Sequence, residues 1–240
     1  MNLIIDIGNN SAKYFIFHDT NIILRGRRTD GTFDFISEYA EQFHIKEVIV
    51  SSVVELTPQQ KESIESCGAK IVWMNSDTPL PIKVDYRTPH TLGSDRLAAA
   101  VGAMAQAPGR DILVIDAGSA ITIDFLDKNG TFRGGNISPG VKMRLKALHN
   151  FTSRLPLVEK EGETPYFGYD TESAIRSGVI YGICNEIEGY ISTVKEKYPD
   201  VLVFLTGGDE KTLIDKIKTR IFADKFLVAK GLNKILENIC

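Results

Sequence analysis

The sequence predicts an α/β protein made of two related lobes, and three observations lead to that prediction. Three short β-prone runs followed by a helix occur twice along the 240 residues. In both copies the first strand is apolar and ends in an aspartate, at Asp6 and at Asp116. A long helix with an apolar stripe is predicted from about Thr171 to Lys197. Strands alternating with helices favour the α/β class, and the repeated opening favours two lobes.

The first lobe is predicted over residues 1–109, where short runs of Leu, Ile, Phe and Tyr are separated by turn residues. Pro58 suits the first turn of a helix and Gly68 its end, whereas the prolines of residues 77–89 favour an extended connection. Pro108 and Gly109 then break the chain. The predicted elements are strands at 3–6, 14–17, 22–24, 47–50 and 70–73, and helices at 33–42, from 58, and from about 92 to 106.

The second lobe is predicted over residues 110–240. Pro139 is expected to start a helix, and the glycine pairs 134–135 and 207–208 are expected to follow strands. Glycines before a helix N-terminus suit an anion or a nucleotide, although such glycines are usually turns. The predicted elements are strands at 112–116, 121–125, 131–137 and 201–205, and helices from 139, from 171 to 197, near 211–218, and from 231.

Composition and charge exclude several classes of function. Hydrophobic residues make up 43% and charged residues 25% of the chain, as in globular proteins. A net charge of -3 gives no reason to expect nucleic acid, and the basic run 25–28 is interpreted as a solvated strand end. No apolar stretch reaches about 18 residues, so neither export nor a membrane span is expected. Cys67, Cys184 and Cys240 are too widely spaced for a disulfide framework or a metal site, which favours the cytoplasm.

The segment Asp6-Ile7-Gly8-Asn9-Asn10-Ser11-Ala12-Lys13 is the first candidate site. A tight hairpin there would turn backbone N–H groups and short polar side chains toward the phosphates of a nucleotide. Asp6 would hold Mg²⁺ or its waters, because that ion binds through one or two carboxylates plus phosphates. An ordinary Asn-rich hairpin is the alternative interpretation. Lys13 is either a phosphate contact or an outward-facing strand residue.

A second turn, Asp116 to Asp124, repeats the first about a hundred residues later and includes Ser119. One such turn is common, but two at matching strand ends predict a ligand in a cleft between the lobes.

A third segment, Gly93-Ser94-Asp95-Arg96, begins the alanine-rich helix. Ser94 or Asp95 would serve as a helix N-cap. Alternatively, Asp95 would accept a proton from a substrate hydroxyl, and Arg96 would bind an anionic group.

Six motifs in this order resemble the type III pantothenate kinase family, which has two ribonuclease H-like lobes of the actin-like ATPase class. The likeness covers residues 2 to about 208. Asn10 and Ser119 stand where the family often has Thr. The motifs are Asp-x-Gly-Asn-x-x-x-Lys at 6–13, Tyr86, Leu-Gly-x-Asp-Arg at 92–96, Asp-x-Gly-(Ser/Thr)-Ala-x-Thr-x-Asp at 116–124, Gly-Gly-x-Ile-x-Pro-Gly at 134–140, and Thr-x-x-Ala-Ile at 171–175.

The resemblance implies ATP-dependent phosphorylation of pantothenate to 4′-phosphopantothenate, the first step of coenzyme A synthesis. It also implies a homodimer, Mg²⁺ with the ATP, and K⁺ or NH₄⁺ as a monovalent cation. By position, residues 6–13 and Ser119 match the ATP contacts, Asp116 the monovalent-cation ligand, and Asp95 the proton acceptor. The residues that match the pantothenate pocket are Tyr86, Gly93, Ser94, Asp95, Arg96 and Thr171.

Three alternatives stay open at this stage. Another kinase or phosphatase of the actin-like superfamily would act on a sugar, an acetate-like acid or polyphosphate. A regulatory or scaffolding protein would bind nucleotide without turnover. The apolar stripe of the helix from Thr171 would serve a dimer interface or simple core packing.

Overall fold

The computed structural model describes residues 1–9 and 11–239, so the predicted ATP contact at Asn10 and the cysteine at position 240 lie outside the described residues. The chain forms two compact units. The first comprises residues 1–108, 130–132 and 226–240, and the second comprises residues 109–129 and 133–225. Within the described residues, no helix has both the length and the apolar character needed to cross a membrane.

The first unit is built on a five-stranded mixed sheet in the order β3-β2-β1-β4-β5. β1 pairs antiparallel with β2 and parallel with β4, so the carboxyl ends of β1 and β4 lie at the same sheet edge. One apolar face of this sheet packs with α1 and α2 in a core that includes Leu3, Ile5 and Ile36. The elements are β1 Asn2–Ile7, β2 Ala12–His18, β3 Asn21–Arg28, α1 Phe35–Gln42, β4 Glu47–Ser52, α2 Pro58–Glu65, β5 Lys70–Trp73, β6 Lys83–Val84 and α3 Ser94–Gln106.

The helices α3 and α7, Leu227–Ile239, are packed closely against one another in this unit. A side chain added at Gly102 would overlap the carbonyl oxygen of Leu227, and one added at Gly231 would overlap that of Ala98. Gly102 and Gly231 therefore allow the two helix backbones to approach each other closely. This contact explains why the final helix belongs to the first compact unit although it comes last in sequence.

The second unit contains the strands in the order β11-β10-β7-β8-β9, with β9 from Arg133 onward. β7 pairs antiparallel with β8 and parallel with β10, which brings the carboxyl ends of β7 and β10 together. The apolar stripe of α5 is buried in the core of this unit, at Ile175, Val179, Ile183, Ile187 and Ile191. The elements are β7 Ile112–Ala117, β8 Ala120–Leu126, β9 Thr131–Pro139, α4 Val141–Asn150, α5 Thr171–Lys197, β10 Leu202–Thr206, α6 Glu210–Leu213 and β11 Phe222–Ala223.

The predicted α/β class, with two mixed sheets that each open with three strands, is confirmed. Pro58 is the first residue of α2, and Thr57 caps that helix through a reciprocal bond with Gln60. The division into functional lobes at residues 109 and 110 stays a prediction; the compact units place residues 226–240 with the first unit.

Four local predictions were wrong. Pro139 ends β9 and α4 begins at Val141, because Gly140 supplies the extended N-cap backbone. Gly134 and Gly135 do not follow a strand; they lie inside β9, within the range of the strand predicted at 131–137. The predicted helix near 211–218 is a single α-turn, Glu210–Leu213, followed by a 3₁₀ turn at Ile214–Lys216. The final helix begins at Leu227, four residues before the predicted start.

Candidate active site

The predicted hairpin after Asp6 is present. Asp6 lies near the carboxyl end of β1, and the Gly8 N–H donates to the carbonyl oxygen of Ser11 at 3.0 Å. Asp6 pairs in register with Lys13 across the hairpin, and the Lys13 Nζ lies 3.8 Å from the Asp6 Oδ2. The Lys13 side chain is therefore directed toward the Asp6 carboxylate. The lysine side chain itself is half exposed.

The Asp6 carboxyl has an unusual electrostatic environment. Burial raises the pKa of Asp6 above its ordinary value, and the negative charge of Asp95 raises it further, while Lys13 offsets part of the effect. Two carboxylates whose charges affect one another in this way favour a cation nearby. The sequence assigned Asp6 to the nucleotide turn and Asp95 to the first turn of the alanine-rich helix, and the structure has both in the first unit.

Ser51 connects the two carboxylate-bearing elements and was missed by the sequence analysis. It pairs with Asp6 in the β1–β4 register and is fully buried. Its Oγ lies 2.8 Å from the Oγ of Ser94, the first residue of α3. The sequence offered one signal for Ser51, its position near the end of a strand. Because β4 runs parallel to β1, both strands end at the same sheet edge.

The first turn of α3 corrects the N-cap prediction. Gly93 is the N-cap residue, and no side chain caps the helix. Ser94 is instead bonded to Ser51, and the Asp95 Oδ1 accepts a hydrogen bond from the Arg96 N–H at 2.8 Å. A Cβ added at Gly93 would lie 2.5 Å from the Asp95 Oδ1, so glycine leaves the space that the carboxylate occupies.

Arg96 is packed among aromatic rings. Its guanidinium carbon lies 6.0 Å from the ring centroid of Tyr86 and 5.8 Å from that of Phe132. These two rings meet edge to face at 6.3 Å. Arg96 is only 6% exposed and Tyr86 is partly buried. The sequence predicted Tyr86 and Arg96 for one pocket, and they are neighbours, with Phe132 as an addition that no motif indicated.

The second unit carries the matching turn. Asp116 lies near the carboxyl end of β7, and the Gly118 N–H donates to the Ala120 carbonyl oxygen at 3.0 Å. Gly207 follows the neighbouring strand β10 with a φ of +103°, and a Cβ there would lie 2.5 Å from the Asp116 Oδ1. Glycine at position 207 therefore supplies a backbone conformation and a space that other residues cannot.

The backbone around Ser119 is fixed by two other segments of the second unit. The Gly140 N–H donates to the Ser119 carbonyl oxygen at 3.1 Å, and the Asp209 N–H donates to the Ala117 carbonyl oxygen at 2.9 Å. The Ser119 side chain itself is exposed and free to contact a ligand. The sequence analysis found the glycines of these segments but not their contacts with the turn.

Thr171 is the first residue of α5 and is exposed, in the second unit, whereas the rest of the predicted pantothenate pocket lies in the first. Its neighbour Asp170 is the N-cap: the Asp170 carboxylate accepts from the Ser173 N–H at 2.7 Å and from the Ser173 hydroxyl at 2.7 Å. These bonds hold the pKa of Asp170 below its ordinary value. The helix start that carries Thr171 is thus well defined.

Two cations are expected from the sequence, Mg²⁺ and a monovalent cation, and each has one candidate carboxylate. Among residues 1–9 and 11–239, no group of three or more His, Cys, Asp or Glu side chains is arranged to hold a metal by itself. Asp6 offers one carboxylate, which fits Mg²⁺ because that ion takes most of its ligands from phosphates and water. Asp116 also offers one carboxylate, and the backbone of Gly207 packs close against it.

A protein-family model described as type III pantothenate kinase matches residues 2–193 of the chain. The chain belongs to this family. A type III pantothenate kinase of Bacteroides fragilis is 50% identical over 237 residues, covering 99% of this chain and 98% of the relative. One from Phocaeicola vulgatus is 48% identical with the same coverage. The resemblance found in the motifs therefore extends over the whole chain.

Solved structures support the fold of this pantothenate kinase family member. A candidate Baf family transcriptional activator from Campylobacter jejuni has a TM-score of 0.64 and 25% identity, with 99% of this chain and 98% of that chain covered. A candidate 2-dehydro-3-deoxygalactonokinase from Sinorhizobium meliloti has a TM-score of 0.63 and 13% identity, covering 100% and 99%. The second likeness concerns the fold alone and agrees with the predicted α/β class.

Proposed function

We propose that this protein phosphorylates pantothenate with ATP to give 4′-phosphopantothenate and ADP, the first step of coenzyme A biosynthesis. The observation that carries the proposal is membership of the type III pantothenate kinase family over the full chain. The first unit adds physical support, since it groups an aspartate pair, a lysine and an aromatic pocket with a buried arginine.

Asp95 is proposed as the proton acceptor. The pantothenate hydroxyl oxygen forms a bond to the γ-phosphorus of ATP, the bond from that phosphorus to the β,γ-bridging oxygen breaks, and the hydroxyl proton passes to the Asp95 carboxylate. The Asp95 Oδ1 is bonded to the Arg96 N–H, which fixes the orientation of the carboxylate. Phosphoryl transfer depends mainly on positioning and charge stabilisation, so a fixed carboxylate is well suited to this role.

ATP is proposed to bind residues 6–13 and Ser119. In the first of these segments, the hairpin N–H groups and Lys13 would contact phosphate oxygens, and Asp6 would hold Mg²⁺. When bound, Mg²⁺ would neutralise phosphate charge at the reacting end of ATP. Asn10 belongs to this proposed set by resemblance only. The other residues of the segment are Ile7, Gly8, Asn9, Ser11 and Ala12.

Asp116 is proposed as a ligand of K⁺ or NH₄⁺. Its carboxylate lies close to the backbone at Gly207, and Lys13 is the single lysine in the two motif turns. A monovalent cation there would add positive charge near the nucleotide. Activity with K⁺ should fall sharply when Na⁺ replaces it at equal ionic strength, and equal rates in the two salts would contradict this assignment.

The pantothenate pocket is proposed to consist of Tyr86, Gly93 to Arg96, and Thr171. Arg96 would pair with the carboxylate of pantothenate, and the aromatic rings would contact its apolar part. A homodimer and a cytoplasmic location are proposed from the family resemblance. Neither nucleic acid nor a membrane is proposed as a partner.

The direct test is ADP release from ATP with pantothenate, in the presence of Mg²⁺ and K⁺, against a panel of sugars, short-chain acids and polyphosphate. We expect ADP formation that depends on pantothenate. The absence of any pantothenate-dependent ADP, with release on another member of the panel, would replace the proposal with a different kinase of the superfamily.

A nucleotide-binding regulator is the second candidate, because the Campylobacter jejuni relative is described as a candidate transcriptional activator. Such a protein would bind ATP without turnover and would tolerate loss of Asp95. Nucleotide binding measured by calorimetry, together with zero turnover on every acceptor, would favour this candidate over the kinase.

A further inference from the structure

We propose that Arg144, anchored by Glu186, is a positioning residue that holds the Ser119 turn in place for ATP. The inference rests on the proposed function, since it assumes that Ser119 contacts a phosphate of the nucleotide. All the groups involved belong to the second compact unit.

Arg144 lies in the first half of α4 and makes three hydrogen bonds with its guanidinium group. The Nε donates to the carbonyl oxygen of Pro139 at 2.7 Å. The Nη2 donates to the Oγ of Ser138 at 3.2 Å and to the Oε2 of Glu186 at 2.6 Å. The planar guanidinium thus connects the last two residues of β9 to the middle of α5.

The end of β9 is directly joined to the Ser119 turn. Pro139 is followed by Gly140, whose N–H donates to the Ser119 carbonyl oxygen at 3.1 Å. A Cβ at Gly140 would lie 2.6 Å from that same oxygen, so the two backbones are in close contact. Any shift of Pro139 would therefore be transmitted to Ser119, one residue and one hydrogen bond away.

Arg144 and Glu186 form an ion pair that is only partly exposed. Burial acts to raise the pKa of Glu186, but hydrogen bonds from Ser138 and Arg144, and the charge of Arg144, outweigh it and leave the pKa below its ordinary value. The side chains of Arg144 and Glu186 are 24% and 27% exposed. A bond between charged groups with this much burial, made by a guanidinium that donates three hydrogen bonds, is stronger than an open surface pair.

Substitution of Arg144 is expected to weaken the binding of ATP and not that of pantothenate. In Arg144→Met, the end of β9 loses two hydrogen bonds and α5 loses one. The KM for ATP should then rise about tenfold, the change that loss of roughly one charge-assisted bond would cause. The KM for pantothenate should stay within about twofold, because the residues proposed for that pocket do not contact this network. The affinity for ATP measured by calorimetry should fall by the same factor as the KM rises.

The chain offers a matched control on the same strand. Arg133, near the beginning of β9, forms an ion pair with Asp127 in which its Nη2 lies 2.7 Å from the Oδ2. Arg133→Met removes the same kind of side chain and the same kind of pair at the opposite end of β9. We expect this variant to keep the ATP affinity of the wild type.

A conservative variant and a double variant separate positioning from simple stability. Arg144→Lys keeps the charge for Glu186 but lacks the planar group that reaches Ser138 and Pro139 at once, so its KM for ATP should fall between those of wild type and Arg144→Met. Glu186→Gln should also raise the KM for ATP. The double variant Arg144→Met with Glu186→Gln should be no worse than Arg144→Met, since both act through one network.

The outcomes are distinguishable. An Arg144→Met protein with a lower Tm but unchanged KM and affinity for ATP would overturn the inference, because Arg144 would then only join α4 to α5. Equal losses of ATP affinity in Arg144→Met and Arg133→Met would overturn it as well. A wild type that binds ATP but forms no ADP with pantothenate would instead refute the proposed function, and the ATP affinities of the variants would still decide the role of Arg144.

Discussion

The hydroxyl oxygens of Ser51 and Ser94 lie 2.8 Å apart, and this bond joins the end of β4 to the first residue of α3. Ser51 is fully buried and pairs in register with Asp6 on β1. Ser94 immediately precedes Asp95. The bond therefore connects the elements that carry the two aspartates whose charges affect one another.

Ser51→Ala tests this bond. The substitution removes one partner of a buried hydrogen bond, so the free energy of unfolding should fall by about 1 kcal/mol. The kcat should fall several-fold, because the first turn of α3 loses its connection to the sheet. Chemical denaturation and steady-state kinetics measure the two effects. Ser52→Ala is the control, since the Ser52 hydroxyl bonds to the Val54 carbonyl within its own loop; an equal loss of kcat in this variant would contradict the prediction.

Asp95→Asn tests the proton acceptor. The amide keeps the size of the side chain but cannot accept the hydroxyl proton, so kcat should fall by roughly 10² to 10⁴. The affinity for ATP, measured by calorimetry, should change little. Asp77→Asn, at an exposed carboxylate of the same unit, should retain full activity. Full turnover by Asp95→Asn would assign the proton to another group.

Gly207→Ala and Gly208→Ala form a matched pair. Gly207 has a φ of +103° and no room for a Cβ beside Asp116, whereas a Cβ at Gly208 meets nothing within 4 Å. Gly207→Ala should lower the free energy of unfolding by about 2 kcal/mol or more. It should also raise the K⁺ concentration needed for half-maximal activity, while Gly208→Ala should match the wild type in both respects. The same K⁺ dependence in all three proteins would remove the support for Asp116 as the cation ligand.

Glu188 gives a prediction for stability against pH. Its carboxylate accepts from the N–H groups of Lys218 and Thr219 at 2.5 and 2.8 Å, and from the Thr219 hydroxyl at 2.6 Å. Burial acts to raise the pKa of Glu188, but these bonds outweigh it and the pKa lies below its ordinary value. The stabilisation is therefore complete above the unfolded pKa of 4.5 and is lost as the pH falls through the folded pKa.

Glu188→Gln should lower the free energy of unfolding by about 1 kcal/mol at pH 7, a value reduced for partial exposure. The difference from wild type should shrink as the pH falls below about 4.5. Denaturation curves at several pH values measure it, and Glu196→Gln, at an exposed glutamate of the same helix, is the control. A difference that stays constant down to pH 3 would show that the charge of Glu188 does not contribute.

The local sequence was sufficient to predict most of the strands and helices and to identify the family. The strands of the two sheets follow short apolar runs, and α5 follows an apolar stripe repeated every three or four residues, because burial of one face decides such patterns. Two of the errors, at Pro139 and at the start of the final helix, fell at the ends of elements. Pro139 suits a first helical turn, but the strand continues through it, and the tertiary contact of Gly140 with Ser119 decides where α4 begins.

The sequence by itself determined the α/β class, the paired turns at Asp6 and Asp116, and the motifs that identify the family. The tertiary structure alone decided the bond between Ser51 and Ser94, the placement of Gly207 against Asp116, and the connection from Arg144 to the Ser119 turn. Each of these contacts joins segments more than twenty residues apart. Such contacts depend on how strands align at one sheet edge and on how helices pack, and neither leaves a repeating signal in the local sequence.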